Sequence, residues 1–326
     1  MGFVKNSEFY FSDGSLAIRI SGTVFKVHST ILARHSDVFK DMAEIPQPDQ
    51  CETVDGVPVV DLQDDVKEFE ETLHAIYDPL HFDSLNGKSK LNDILTFVSG
   101  PLRITTKYAM PKLRAKYISL LEAKFPSTLD GCLSLLKSQF QYDSADIVRL
   151  ITLASPSHAN VPSVLPWAYY LCTHMSVDDV IKNDILTWEG KALVLAGKEK
   201  LWKALRNHSH KMLFLFTPAP TCTSNCASKI TQQQTIGYQY TNGVTYSTSG
   251  PGCKFTMTLD EAEELRRVPH PLEEYDSERW KQSGVCARCF AYLGQTHREG
   301  RMKVWKELPT YFGLESWESI QRVQSA

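Results

Sequence analysis

Apolar and polar side chains alternate over residues 16–21, with Leu16, Ile18 and Ile20 set against Ala17, Arg19 and Ser21. This is the period of a half-buried strand. Ser21-Gly22 supplies a tight turn, and residues 23–28 predict a second strand carrying Val24, Phe25 and Val27, so the two form a hairpin. Ser29 is expected to cap a short helix through Arg34, and Ser36 a second helix ending near Met42. After a loop holding Pro46 and Pro48, residues 57–62 predict a third strand. Residues 66–77 predict an amphipathic helix with Val66, Phe69, Leu73 and Ile76 on one face, stopped by Asp78-Pro79.

From residue 127 to 216 the pattern turns helical, with candidates at 128–139, 143–155, 164–174, 177–184 and 187–216, punctuated by Pro156, Pro162 and Pro166. The last of these has Thr187 as its N-cap and Leu201, Leu205, His208, Met212 and Phe216 on one face. Pro218 and Pro220 end it. Thr, Ser, Gln, Asn and Gly then dominate through Gly252, where Asn242-Gly243 between 236–241 and 244–246 is a hairpin signal. A two-residue loop there sets Tyr240 and Val244 on opposite faces, so a longer loop or a bulge is expected if one apolar side is to form; the register stays open. Helices are expected again at 259–267, 299–308 and 314–323, and no internal repeat is visible.

Ser12-Asp13-Gly14 followed by Val24-Phe25-Lys26-Val27-His28-Ser29-Thr30-Ile31-Leu32-Ala33-Arg34-His35-Ser36-Asp37-Val38-Phe39 resembles the hairpin and the F-x-x-H-x-x-x-L-x-x-x-S-x-x-F signature of the BTB/POZ family. The likeness extends over residues 59–62, the Leu73-x-x-Ile76-Tyr77 helix end, and Leu102 to Tyr117 with its Thr106-Lys107-Tyr108-Ala109 stretch. It covers residues 8–125 and is similar to the short-N-terminus BTB proteins of mushroom-forming fungi. The chain is therefore expected to be α+β: a BTB/POZ domain at 8–125 with a small β-sheet flanked by helices, a mostly helical extension at 126–216, and a cysteine-containing segment at 217–326 with a β-hairpin and a zinc clip. The resemblance implies a protein-interaction adaptor that self-associates through the first strand and helix and docks on a cullin-type ubiquitin ligase scaffold. It also makes His28 a structural histidine with a satisfied ring. Two positions depart from the pattern: few residues precede the first expected strand, and Ser29 stands where the family carries a basic residue.

Composition narrows the function classes. The 326 residues are 42% hydrophobic and 10% aromatic, enough to bury a core. A net charge of −3 gives no general attraction for nucleic acid or an anionic membrane. Arg19, Lys26, Arg34 and Asp37 interrupt the first apolar stretch, so no membrane span is expected, and no secretory signal is read. Met1-Gly2 lacks the Ser or Thr of a myristoylation start, since Asn6 occupies that position. Six Lys or Arg and no carboxylate lie between Lys200 and Leu259, but they are too sparse for nucleic-acid binding and offset a thiolate cluster equally well.

Eight cysteines without a secretory signal predict a reducing compartment, cytoplasm or nucleus. Cys51, Cys132 and Cys172 are isolated and read as buried small apolar groups. Cys222-x-x-x-Cys226 and Cys286-x-x-Cys289 supply two close thiol pairs, the set a tetrahedral structural zinc requires. The bland alternative is four buried or reactive thiols. Cys253, His208, His210 and His297 are reserve ligands, with His208 better placed in the core. A DNA-binding transcription regulator is the rival reading, opposed by the absence of Cys2His2 finger spacing. No phosphate loop, G-x-S-x-G, H-E-x-x-H or dinucleotide fingerprint is present, and a four-thiol metal site leaves no open position, so no enzyme is expected.

Overall fold

Strand β1 (Val4–Tyr10) precedes the hairpin expected to open the sheet. Only Phe9 of its seven residues is buried, so no hydrophobic alternation marks it in the sequence. It is held by parallel pairing with the strand at 23–27 and by surface ties, Lys5 Nζ and Tyr10 OH each donating to Asp55 Oδ2 at 2.8 Å. The computed structural model describes residues 2–45, 52–85, 89–137, 142–214, 216–224, 226, 237–241, 244–248, 266–267, 269–275, 281 and 285–325. The chain divides into two compact units: Met1–Phe125 with Thr152–Val161, and Pro126–Ile151 with Pro162–Ala326.

In the first unit, β2 (Leu16–Ile20) and β3 (Thr23–Val27) form the expected hairpin, with Leu16 opposite Val27 and Ile20 opposite Thr23. Ser21 and Gly22 both take positive φ, 47° and 85°, the primed turn whose twist matches the strands. Helices α1 (Ser29–His35) and α2 (Asp37–Glu44) follow. Ser36 caps α2 as expected, its Oγ accepting from the Phe39 amide. Ser29 does not cap α1: it is the first helical residue, and its hydroxyl meets Ser15 Oγ at 2.9 Å.

A short β4 (Thr53–Val54) turns through Asp55-Gly56 into β5 (Val57–Leu62), which runs parallel to β2 and completes the order β1-β3-β2-β5-β4. Helix α3 (Val66–Tyr77) is capped by the Asp65 carboxylate, which accepts from the amides of Lys67 and Glu68. Helices α4 (Leu91–Lys107) and α5 (Pro111–Glu122) close the unit. Phe9, Ile18, Ile20, Phe25, Val27, Leu32, Phe39, Phe69, Leu73 and Ile104 form its core, with Phe25 edge-on to Phe69 at 5.3 Å. The outer sheet face carries a smaller cluster of Ala17, Val24 and Val54. Arg114 holds the 152–161 segment by donating to the carbonyls of Ala159 and Asn160.

The second unit is built on helices α6 (Leu129–Lys137), α7 (Ser144–Ala154, its last turn belonging to the first unit), α8 (Leu165–Cys172), α9 (Val177–Lys182) and α10 (Trp188–Ala204). Every residue of α8 is buried, as its unbroken apolar sequence requires of a central helix. Thr187 caps α10, accepting from the Gly190 amide at 3.1 Å. The long helix expected through residue 216 is interrupted: Leu205–Ser209 is a π-turn, followed by α11 (Lys211–Phe214). The extra residue in that turn rotates the buried face, so His210 is 5% exposed and His208 is only half-buried, reversing the expected core histidine.

Strands β6 (Gly237–Thr241) and β7 (Val244–Thr248) form the expected hairpin, with Thr241 paired directly to Val244 and no bulge in the pairing. Helix α12 (Ala287–Tyr311) starts well before the expected residue 299, and α13 (Trp317–Ser325) follows. Trp167 stacks on Tyr170 at 4.8 Å, and Trp305 stacks on Trp317 at 5.0 Å, the indole N–H of Trp317 donating to Trp305 O. Cys51, Cys253 and the 259–265 part of the helix expected at 259–267 lie outside the described residues.

Candidate functional site

Cys222 and Cys226 follow the proline-broken end of the α11 region; Cys286 is the N-cap of α12, and Cys289 lies in its first turn. The fold brings all four sulfurs within 4.8 Å of one another, with Cys222 Sγ and Cys286 Sγ 3.9 Å apart. Tetrahedral bonds of about 2.3 Å to one ion place sulfurs nearly 4 Å apart, so the set has the dimensions of a tetrathiolate site. Cys226 and Cys289 are buried, Cys222 and Cys286 partly exposed. Ala219, Phe216, Val285 and Tyr292 wall the cluster in apolar surface.

Backbone amides are already turned toward sulfur. The Cys286 N–H donates to Cys226 Sγ at 3.3 Å, and the Ala219 N–H to Cys289 Sγ at 3.4 Å. The same kind of donor splits the four thiols by acidity. The Cys289 amide brings Cys286 down to about 6, and the amides of Cys226 and Ser224 lower Cys222. Burial raises Cys226 and pushes Cys289 up to about 12. A divalent cation would remove that split, because it stabilises all four thiolates together.

The donor set is purely sulfur. Among the described residues no histidine or carboxylate joins it. His210 and His297 pack on each other elsewhere, His297 Nε2 accepting from the Tyr275 amide at 3.2 Å. Four sulfur ligands close a tetrahedron and leave no place for water or substrate, so the arrangement suits a structural ion rather than a catalytic one. Sequence reasoning located the four cysteines but not the amide of Ala219, nor Arg288, which donates to Thr221 O at 2.8 Å across the same junction. Backbone groups carry no side-chain signal, and Arg288 is one of many arginines.

In the first unit His28 sits where β3 turns into α1. Its Nδ1 lies 3.1 Å from Tyr77 OH and its Nε2 3.3 Å from Asp13 Oδ1, while its own amide donates to Tyr77 OH. Both ring nitrogens are therefore partnered, as a histidine with a structural role requires, and the ring locks the β2–β3 hairpin to the end of α3. The family model of the BTB/POZ domain matches residues 4–124, the span of this sheet and its helices. This chain is a BTB/POZ domain-containing protein. The match begins at β1, ahead of the residues that carry the resemblance in the sequence. BTB/POZ domains are protein-interaction and dimerisation modules, generally without catalysis, and the domain gives this chain a protein-interaction module. No curated protein matches the chain at a significant level. Among the described residues no helix is long and apolar enough to cross a membrane.

Proposed function

We propose that the chain is a non-catalytic adaptor whose BTB domain self-associates and docks on a cullin-type ubiquitin ligase scaffold, and whose C-terminal segment is clipped by one structural zinc on Cys222, Cys226, Cys286 and Cys289. Residues 8–125 are the interaction domain in this reading, 126–216 a helical extension, and 217–326 the segment that the clip secures. The observation that carries the adaptor role is the BTB/POZ match over 4–124. Support for zinc comes from the all-sulfur donor set within 4.8 Å. Free thiols in such a set suit a reducing compartment, cytoplasm or nucleus.

Sedimentation of the full chain at tens of micromolar is expected to give more than the mass of one chain; a strictly monomeric mass removes self-association. Capture of a purified cullin N-terminal region is expected, and its failure removes the ligase role while leaving the interaction domain. Elemental analysis is expected to return one zinc per chain, lost when Cys286 and Cys289 are both changed to Ser. Protein purified without chelator that carries no metal removes the clip.

A further inference from the structure

Helices α1, α3 and α5 of the BTB domain enclose a cleft of about 540 Å³ that neither the hairpin nor the thiol cluster uses. Its floor is aliphatic, made by Ile31, Ile76 and Leu113. Its rim is cationic. Arg34 comes from the last turn of α1, and Lys112 and Lys116 stand one helical turn apart on α5, all three exposed. Among the described residues none of the three has a carboxylate within ion-pair distance; Lys116 instead lies 5.0 Å over the Phe82 ring. His35, also on the rim, is held toward its neutral form by burial and then by the charges of Arg34 and Lys112, which places those cations close to one another. A concentration of unpaired positive charge is notable in a chain whose net charge is −3.

The geometry points to an occupant, and we propose that this cleft binds a peptide segment of another protein in which aliphatic side chains are flanked by aspartate or glutamate. The inference rests on reading the BTB domain as a protein-binding module. A bare phosphate would satisfy the rim and leave Ile31, Ile76 and Leu113 against water, whereas an uncharged apolar peptide would desolvate three cations without a partner. A second copy of this chain seated by this same cleft fits poorly, because a two-fold contact there sets the cationic rim against itself and brings like charges together; self-association through the first strand and α1 is therefore expected to leave the rim free. Single-stranded nucleic acid needs a run of aromatic stacking surfaces, and the cleft lining offers one half-buried ring, His35. An aliphatic anchor with carboxylates on either side uses both the floor and the rim, and the volume lies in the range of about 300–1,000 Å³ common for concave sites.

The test is fluorescence anisotropy of the full chain with a small panel of labelled peptides having Leu, Ile or Val at the centre and Glu or Asp on both flanks. Controls are the same peptides with Ser at the centre, the same peptides with Lys flanks, and an oligothymidylate. At least one acidic aliphatic peptide is expected to bind, and its Kd should rise about tenfold or more in the Lys112→Glu/Lys116→Glu variant and with added salt. The milder Lys112→Gln/Lys116→Gln variant, checked by thermal unfolding, should weaken binding less and keep the order of the peptides. The inference is overturned if no panel member binds, if the variants bind unchanged, or if the Ser-centred peptide or the oligothymidylate binds as tightly as the aliphatic one. Sedimentation and cullin capture are measured on the same proteins. If these persist while no peptide binds, the cleft inference falls and the adaptor reading stands; if both are absent while peptide binding follows the predicted order, the reverse holds.

Discussion

Gly300 shows how single positions govern the helical unit. A Cβ added there would lie 2.4 Å from His208 O and 2.7 Å from Ser209 Cα, so α12 approaches the π-turn closer than any side chain allows. Both contacts are backbone and cannot move aside as a flexible side chain would. Gly300→Ala is expected to destabilise by about 1–3 kcal/mol in urea titration. Gly294→Ala, in the same helix and with nothing within 4 Å of its added Cβ, is expected to stabilise by about 0.5–1 kcal/mol through helix propensity. If both changes act alike, close approach is not what Gly300 provides. In the BTB domain Phe25 is fully buried, and Phe25→Ala should cost about 3–5 kcal/mol. Residues such as Ile18, Phe25 and Leu73 were legible because strand and helix periods expose them directly. His210 was not, because a π-turn adds one residue to a helix without any sequence mark, and the 3.6 period then selects His208.

At the scale of elements, polarity decided what could be foreseen. The β2–β3 hairpin, α3 and the Asn242-Gly243 hairpin carry alternation, caps or turn residues. Strand β1 buries only Phe9 and β4 spans two residues, so neither shows a period although Asp55-Gly56 marks a turn. The helical unit also packs histidines that periodicity does not distinguish from other core residues. His174 meets His270 at 4.0 Å between ring centres, and His210 meets His297 at 4.8 Å. Burial is the main cause that lowers all four, His174 and His210 to about 3. A histidine lowered in the folded state favours folding above its ordinary value near 6.5 and loses that contribution as pH falls toward its folded value. The unit should therefore lose about 1–2 kcal/mol per fully desolvated ring between about pH 6.5 and pH 5. The described tryptophans, Trp167, Trp188, Trp202, Trp305 and Trp317, lie in this unit and the sequence of the first unit holds none, so indole fluorescence during urea titration at the two pH values reads the helical unit without the BTB domain. An unchanged midpoint would mean the rings are hydrated in solution.

For the whole molecule, the N-terminal third was legible because a contiguous signature joins hairpin, caps and helix spacing, while the thiol cluster was legible only as two pairs whose meeting the sequence does not require. What brings them together is the start of α12, where Cys286 occupies the N-cap position and its amide donates to Cys226 Sγ. That dependence on folding gives the zinc reading its most demanding consequence. Ligands separated by so much chain are apart in the unfolded state, so an ion that binds only the folded arrangement adds its binding free energy to folding. At a free concentration a thousandfold above Kd the gain is about 4 kcal/mol. Prolonged dialysis against a strong chelator should therefore lower the tryptophan-monitored unfolding midpoint and open the 216–226 region and the start of α12 to protease. The BTB domain holds none of the four cysteines, and its fragment should survive the same digestion intact. Restoring zinc should restore the midpoint, while Cys286→Ser/Cys289→Ser should reproduce the chelated state and fail to respond to added metal. A chelated wild type that unfolds at the original midpoint would show that the four thiols are held by their amide bonds and apolar walls alone.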